Sequence, residues 1–599
     1  MPNHAIPPQT SVLIHTEHTT FAMGRTARVE AVLQAGSGDS PQDYILLPYV
    51  NQRRWGSHER PDAAGRAVFM LPLPNPGPAG VQVLALKADT DHWMGLDAHR
   101  DLLLAGRLMP DPELGVRSNT VELEVAWRPI SPRPPGSTLF GMQWEPWFNG
   151  GAGRWGTAQA VPVMGFYDSW NRDALRQHML WLMDAGIDFI LADWTNHIWG
   201  CKHWNERPDH TNAILHATQL ALEVLAELRS EGLPAPKMVL FPGLSNGRPA
   251  TIEALNEQLA WIYHHYVRNP RFEGLWLEWD GKPLVVVLDT GAVAHPKGTA
   301  ESAFRIPFFK QTLALSASEL DVFRAVQETV DDEHFTVRWM SSQNETTRHH
   351  ELGYWSWMDG TFDPPATYRD GAAEAVTVTP AFFNAQGWAH PSAAGRRGGA
   401  TYFETFKAAL QHRPRVVFLH QFNEYSGQPD GRGYGPNRDI YVDTYNVELS
   451  DDLEPVSLTA PGYRGGTGGW GFYYLNLTRA LIDVYRGRAG DCTLLAVSRP
   501  LRNTEVTGDT LQVEWNVLGA SPHNYTVSID GQPLAEGVTG TSADIRLAGL
   551  ARGPHLLTVA APGATTRYPL SLTELDIPLA QAIPARVDVP FTFEDRSAG

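Results

Sequence analysis

The stretch RVVFLHQFNEYSG, residues 415–427, decides the predicted fold of this chain. A short apolar run ends abruptly in His420, Gln421, Asn423 and Glu424. A buried carboxylate costs several kcal/mol unless it is paired, so stability alone gives no reason for this composition. We expect a buried strand whose carboxyl end opens into an active site. The alternative is a strand that ends at the protein surface sooner than its apolar run suggests.

The apolar run of residues 415–421 is the last of eight strand candidates. Segments of helical period lie between several of these candidates, a pattern typical of a (β/α)8 TIM barrel. An open doubly wound sheet is disfavoured, because such a fold would want a Gly-rich phosphate loop early in the region. The other seven candidates lie near residues 138–144, 187–193, 237–242, 283–288, 335–340, 354–358 and 375–380.

The sequence on either side of the barrel predicts β-strands. Residues 1–130 contain short, partly alternating apolar runs bounded by Gly, Pro, Asp and Asn, which predicts an N-terminal β-sandwich. A proline-rich linker over 128–137 leads into the barrel at 138–490. Residues 491–599 resemble a fibronectin type III or immunoglobulin-like sandwich, with Trp515 and Tyr525 as expected core aromatics. The predicted architecture is therefore multidomain, a barrel flanked by two β-sandwiches.

Composition excludes several classes of function. The formal net charge of −18 on 599 residues disfavours binding to nucleic acid and to anionic membranes. No segment reaches the about 18 apolar residues needed to span a bilayer. No signal peptide is visible, so we expect an extracellular or periplasmic protein if one was removed and a cytoplasmic protein otherwise.

Cys201 and Cys492 are expected to be two unrelated thiols rather than a pair across domains. A monomer or homodimer without metal or organic cofactor is expected.

The predicted strand ends are rich in carboxylates, amides and indoles, and 16 of the 20 tryptophans lie between 138 and 490. Active sites of (β/α)8 barrels lie at the carboxyl ends of the strands. Indole faces stack on sugar rings, while polar side chains bond to sugar hydroxyls. A carbohydrate is therefore the expected substrate. The candidate substrate-binding residues are Trp144, Glu145, Trp194, His197, Trp357, Asp359, His420, Asn423 and Tyr425.

Glycoside hydrolysis requires two carboxylic acids that flank the scissile bond. We expect Glu424 to be an essential carboxylate, with Asp193 or Glu345 as its partner. Glu345 belongs to a second Asn-Glu pair, after the fifth predicted strand. The alternative role for Asp193 and for Asp359 is hydroxyl binding or capping of the following helix. The alternative for Glu424 is a structural pairing with His420 or an arginine.

Two blocks of the chain resemble glycoside hydrolase family 99. They are PVMGFYDSWNRDALRQHMLWLMDAGIDFILADW at 162–194 and RPRVVFLHQFNEYSG at 413–427. The family comprises (β/α)8 enzymes typified by endo-α-mannosidases, and the resemblance implies that Asn423 and Glu424 match the Asn-Glu of its last strand. Tyr425 stands where the family has Trp, and Gly427 stands where it has its acid/base Glu. The resemblance therefore implies a shared fold and clan rather than a shared mechanism of attack.

These observations predict an endo-acting glycoside hydrolase of a polysaccharide or oligosaccharide. A non-catalytic carbohydrate-binding barrel is the alternative that Gly427 permits, and a transglycosylase is a second alternative. The long acidic segment 429–455 is expected to be a solvated specificity loop, with calcium binding by its aspartates as the alternative.

Overall fold

The structure of the protein is a computed structural model. It describes residues 6–87, 115–131, 136, 138–148, 155, 158–195, 210–243, 252–288, 333–341, 350, 353–383, 387–388, 393–425, 446–462, 469–487, 493–500, 505–506, 508–519, 524–562 and 564–572.

The N-terminal region forms two sheets. One is antiparallel, in the order β1-β3-β6, and the other has the order β2-β9-β7-β4-β5, with β8 paired to β7. Inward side chains of both sheets, such as Val29 and Leu84, belong to one buried cluster. A β-sandwich stays a prediction for this region. The strands are β1 Ser11–His15, β2 Thr20–Ala22, β3 Thr26–Gln34, β4 Tyr44–Val50, β5 Arg53–Arg54, β6 Arg66–Pro72, β7 Gly77–Lys87, β8 Val116–Arg117 and β9 Val121–Ala126.

Eight parallel strands form a nearly closed, barrel-like sheet in the centre of the chain, one at each predicted position. They run in the order β16-β15-β14-β12-β11-β10-β19-β18. Between the two end strands, Thr377 Oγ1 donates a hydrogen bond to the Ser356 carbonyl. The strands are β10 Leu139–Trp144, β11 Phe189–Trp194, β12 Lys237–Pro242, β14 Lys282–Leu288, β15 Thr336–Ser341, β16 Trp355–Ser356, β18 Ala372–Val378 and β19 Val416–Leu419, with the short antiparallel β13 Glu278–Trp279 and β17 Thr367–Arg369 at their sides.

The helices alternate with the strands over only part of the barrel. Helices α1 to α3 follow β10, β11 and β12, and helices α4 and α5 follow β18 and β19. Residues 357–371, between β16 and β18, contain no helix, because the chain forms the β17–β18 hairpin there instead. A regular (β/α)8 arrangement therefore stays a prediction. The helices are α1 Arg172–Ala185, α2 His210–Ser230, α3 Ile252–Ile262, α4 Ala400–His412 and α5 Tyr473–Tyr485.

The C-terminal region contains two further sheets, in the orders β20-β22-β25 and β21-β27-β26-β23-β24. Their buried side chains form one cluster separate from the barrel core. Within it Trp515 and Tyr525 pack with their ring centroids 5.1 Å apart, which confirms their predicted place in a core. The strands are β20 Thr493–Arg499, β21 Glu505–Val506, β22 Thr510–Gly519, β23 Tyr525–Ile529, β24 Gln532–Val538, β25 Ser542–Arg546, β26 Gly553–Ala561 and β27 Ala564–Leu572.

Both flanking regions contact the barrel. Arg128 pairs with Asp184 at the end of α1, and Arg176 of α1 donates to the Pro74 carbonyl of the N-terminal region. From the C-terminal region, the Leu495 carbonyl accepts a hydrogen bond from Tyr473 Oη of α5 at 2.8 Å. Among the helices that the structure describes, none is long and apolar enough to cross a membrane. Cys201 and Cys492 lie outside the described residues.

Candidate active site

Alternation along the barrel strands selects which residues reach the interior. Side chains of a strand point alternately to its two faces. Phe189, Leu191 and Phe418 belong to the cluster that fills the barrel, so Asp193 and His420 continue that inward row. The intervening residues face the helices. The strands therefore deliver a ring of polar side chains to the carboxyl end of the barrel.

Trp144 and Trp194 lie on the outward row. Both rings are buried. The Trp144 indole donates to Nδ1 of His178 on α1 at 3.2 Å, and the Trp194 indole donates to Thr218 of α2 at 2.9 Å. These two rings pack between the barrel and its helices.

The Gln143 amide is the centre of the polar ring. Its Nε2 donates to Glu145 Oε1 at 2.7 Å and to Asp193 Oδ2 at 3.0 Å. The opposite Asp193 oxygen accepts from the Thr195 backbone N–H at 2.6 Å. Glu145 and Asp193 are both buried. Two buried carboxylates thus lie within 3.0 Å of one amide nitrogen, each as a hydrogen-bond acceptor.

His420 connects this amide to a second acidic group. Its Nδ1 lies 3.0 Å from Gln143 Oε1, and its Nε2 lies 3.0 Å from Asp451 Oδ2. Gln143 turns its donor nitrogen toward the carboxylates, so its oxygen is an acceptor, as is the Asp451 carboxylate. His420 therefore links the Gln143 amide to the Asp451 carboxylate. The edge of Trp357 packs on this ring, with centroids 4.4 Å apart.

Asn423 joins the ends of the first and last barrel strands. Its Oδ1 accepts from the Glu145 N–H at 2.9 Å, and its Nδ2 donates to the Glu145 carbonyl at 3.2 Å and to Tyr167 Oη at 3.0 Å. These bonds use the amide on both sides. Asn423 therefore fixes the backbone that carries Glu145.

Glu424 follows directly and, at 7%, is the most exposed of the predicted carboxylates that the structure describes. Its Oε2 accepts from Gln421 Nε2 at 2.6 Å, and its backbone N–H donates to Asp452 Oδ1. The described contacts do not join Glu424 to Asp193. The alternative pairing of Glu424 with His420 is not formed in the described part of the chain, since His420 contacts Gln143 and Asp451 instead.

The acidic residues at 448–454 are buried, so the predicted solvated loop is wrong for this part of the segment. Asp451 contacts His420, and Asp452 contacts the Glu424 backbone. Burial, together with the charge of Asp451, raises the pKa of Asp452 to about 7. The described residues contain no group of three or more metal-ligating side chains arranged to hold an ion.

A second network supports the ring from outside. Trp144 can only donate, so Nδ1 of His178 accepts and its Nε2 donates to Glu454 Oε1 at 2.9 Å. Tyr167 Oη donates to the other oxygen of Glu454 at 2.8 Å. Burial and the nearby Glu454 charge raise the pKa of Tyr167 well above its usual range, so its phenol stays protonated as a donor.

The remaining predicted residues lie elsewhere. Tyr425 is buried, with its ring centroid 5.5 Å from that of Trp155. Burial raises its pKa well above the usual range. Asp359 is buried and bonded to His350 Nε2 at 3.2 Å, rather than to the polar ring. His197 and Glu345 lie outside the described residues.

Sequence reasoning did not assign roles to Gln143, Asp451 or Glu454. The signal for Gln143 was its place on the inward row of the first predicted strand, two residues before Glu145. Asp451 and Glu454 lie 31 and 276 residues from their partners His420 and His178. No local pattern reports such distant contacts.

Comparisons with known proteins complete the description of the site. No protein-family model matches the chain, and no curated protein matches it. Among solved structures, it is similar to a GH99 endo-α-mannosidase from Bacteroides thetaiotaomicron, with 15% identity over 59% of this chain and 99% of that one and a TM-score of 0.39. It is also similar to a Bacteroides uniformis β-glucuronidase, with 11% identity over 94% of this chain and 61% of that one and a TM-score of 0.34.

Proposed function

We propose that this protein is a glycoside hydrolase that cleaves a polysaccharide or oligosaccharide internally. The observation that carries the proposal is the group of buried carboxylates at the carboxyl end of the barrel strands, in which Asp193 shares the Gln143 amide with Glu145 and Glu424 follows the last strand. Glycoside hydrolysis needs two carboxyl groups beside one bond, in a polar pocket with sugar-stacking surfaces. His420 contacts the same Gln143 amide, and Trp357 packs against the His420 ring.

Two residues take the chemical roles in this proposal. Asp193 accepts two hydrogen bonds, which favour its ionised form, and it stabilises the positive charge that develops on the sugar ring. Glu424, the most exposed of the described candidate carboxylates, supplies the proton to the leaving oxygen. Glu345 remains the proposed alternative partner from the sequence. Trp357, half-buried beside His420, is the proposed stacking surface.

The test compares wild type with Glu424→Gln and Asp193→Asn on bacterial, plant and algal glycans, scored by new reducing ends. We expect wild type to cleave at least one glycan and each variant to lose at least about a hundredfold, the scale of a lost acid/base group. Glu257→Gln, an exposed position on α3, serves as the control and keeps full activity. Full activity in both site variants would reject these roles.

A second candidate function rests on Gly427, which stands where similar enzymes carry an acid/base Glu. A barrel that has lost its second acid would bind glycan without cleaving it. Wild type and Glu424→Gln would then bind the same glycan with equal affinity and release no reducing ends. A transglycosylase differs again, because at high sugar concentration its products are longer than its substrates.

A further inference from the structure

A cavity of about 770 Å³ lies between the N-terminal region and the start of helix α1. We call it the seam cleft. Its walls come from the β4–β5 turn, from the proline-rich stretch 72–78 and from residues 168–173 ahead of and within α1. Sites for small organic ligands typically occupy about 300–1,000 Å³, so the cleft has room for a short oligosaccharide.

The seam cleft lies on the same side of the barrel as the candidate active site. The segment 145–171 leaves the carboxyl end of β10 and enters the first turn of α1. Tyr167 of this segment donates to Glu454 and accepts from Asn423 of the site. Asp168 and Trp170, one and three residues further on, line the cleft. Neighbouring residues of one segment therefore contact the candidate active site and line the seam cleft.

The walls combine an aromatic ring with charged groups of both signs. Trp170 is half-buried and packs its edge on His216, with centroids 5.0 Å apart. Arg53 lines the cleft together with Asp168. Arg172 also lines it, with its guanidinium paired to Glu223 and Glu227. Arginine donates to sugar hydroxyls, aspartate accepts from them, and indole and proline faces pack on C–H groups. Mixed charge favours a neutral sugar over an anion.

We propose that the seam cleft is a second carbohydrate-binding site, which holds a neutral part of the glycan distant from the bond that is cleaved. This inference rests on the proposed function for the identity of its ligand. A chain long enough to occupy both places gains affinity from the seam cleft, while a short chain bound only at the barrel mouth does not.

Two variants test the site by binding alone. Wild type, Trp170→Ala and Arg53→Ala are applied to an array of immobilised bacterial, plant and algal polysaccharides that includes neutral, uronic-acid and sulfated chains. We expect wild type to bind a neutral polysaccharide and both variants to bind it at least tenfold more weakly. Trp127→Ala and Arg28→Ala are the matched controls, since both side chains are exposed in the N-terminal region and outside the cleft.

The outcomes separate the seam cleft from the hydrolase. Three results overturn the proposal. The first is unchanged binding in both variants, and the second is weaker binding in the controls alone. The third is a wild type that binds no glycan or only acidic glycans. Arg53 is exposed, so its variant preserves the test if Trp170→Ala fails to fold. If both variants bind the glycan more weakly and wild type cleaves none, the seam cleft is a binding site and the proposed hydrolase function is rejected. If wild type cleaves a glycan and both variants keep its binding and its KM for long chains, the seam cleft is not a binding site and the hydrolase function stands.

Discussion

Gln143 connects the members of the polar ring. Its amide separates two functions: the nitrogen donates to Glu145 and Asp193, and the oxygen faces His420. A buried polar group without a hydrogen-bond partner is costly. The amide therefore gives one oxygen of each buried carboxylate a donor.

Replacing Gln143 with Leu removes these bonds without removing any charge. Each buried polar group left unsatisfied costs about 1–3 kcal/mol, and three groups lose a partner. We expect Gln143→Leu to be destabilised by about 3 kcal/mol or more in urea unfolding, and the acidic limb of its pH–rate profile to move to higher pH. The control is Gln219→Leu, exposed on α2. Wild-type stability together with a wild-type pH profile would contradict this role.

The polar ring was only partly predictable from the sequence. Asp193 and His420 were found because polar residues directly follow apolar runs. Trp144 and Trp194 were grouped with them, although strand alternation sends these neighbours outward to His178 and Thr218. The period of two that predicts a strand also predicts which of its residues share a face, so that distinction was available in the sequence.

At the scale of elements, Arg396 fixes the buried acidic segment. Its Nε donates to the Val447 carbonyl at 3.1 Å, and its Nη2 donates to Ser450 Oγ at 3.1 Å and to the Asp452 carbonyl at 2.5 Å. The guanidinium also lies over the Trp470 ring, 3.9 Å from its centroid. These contacts hold Asp452 at the Glu424 backbone.

A lysine at 396 keeps the charge but cannot donate to three separated acceptors in this planar arrangement. Hydrogen bonds from charged groups contribute about 1.5–3 kcal/mol each. We expect Arg396→Lys to lose about 3 kcal/mol of stability, and glycan cleavage to fall at least tenfold because Glu424 is no longer held. Arg479→Lys, exposed on α5, leaves both quantities unchanged. Full cleavage by Arg396→Lys would show that the acidic segment does not position Glu424.

The elements themselves were well predicted where they are buried strands. Strands covered on both faces are nearly continuous apolar runs, which the sequence displays plainly at 282–288 and 416–419. The β17–β18 hairpin was missed, although Asp370-Gly371 is a strong hairpin signal and both residues have positive φ, 52° and 80°. The chain carries the turn chemistry of a hairpin at this position, where a regular (β/α)8 barrel has a helix.

At the scale of the whole molecule, Glu59 attaches the N-terminal region to the acidic segment. Its Oε1 accepts from Ser57 Oγ at 2.6 Å and from Ser457 Oγ at 2.7 Å, and its Oε2 accepts from Thr459 Oγ1 at 2.7 Å. Ser457 and Thr459 follow Asp452 and Glu454 along the chain. The orientation of the N-terminal region is therefore coupled to the position of the site carboxylates.

This junction makes stability depend on pH. Burial raises the pKa of Glu59 from its ordinary value of 4.5 to about 7, against the opposing effects of three hydroxyl donors and the Arg54 charge. Burial and the Arg54 charge lower the pKa of the adjacent His58 to about 3, so His58 stays neutral. The folded protein thus holds the Glu59 proton more tightly than the unfolded chain does. Stability consequently falls as pH rises from about 4.5 to 7 and is lowest above pH 7.

Glu59→Gln removes this dependence, because glutamine stays neutral at every pH. One pKa unit corresponds to about 1.4 kcal/mol, so between pH 5 and pH 8 wild type should lose about 2 kcal/mol more unfolding free energy than the variant does. At pH 5 the variant has the lower free energy of unfolding, because it lacks an acceptor for Thr459. At pH 8 the difference in unfolding free energy between wild type and variant is smaller or has the opposite sign. Denaturant unfolding at both pH values measures the difference, with the exposed Glu124→Gln as control. Asp452 has a raised pKa of about 7 as well and stays in both proteins, so its contribution cancels in the comparison. If wild type and variant differ by the same unfolding free energy at pH 5 and pH 8, Glu59 is ionised in the folded protein at pH 5. The junction is then held by a carboxylate rather than by a carboxylic acid.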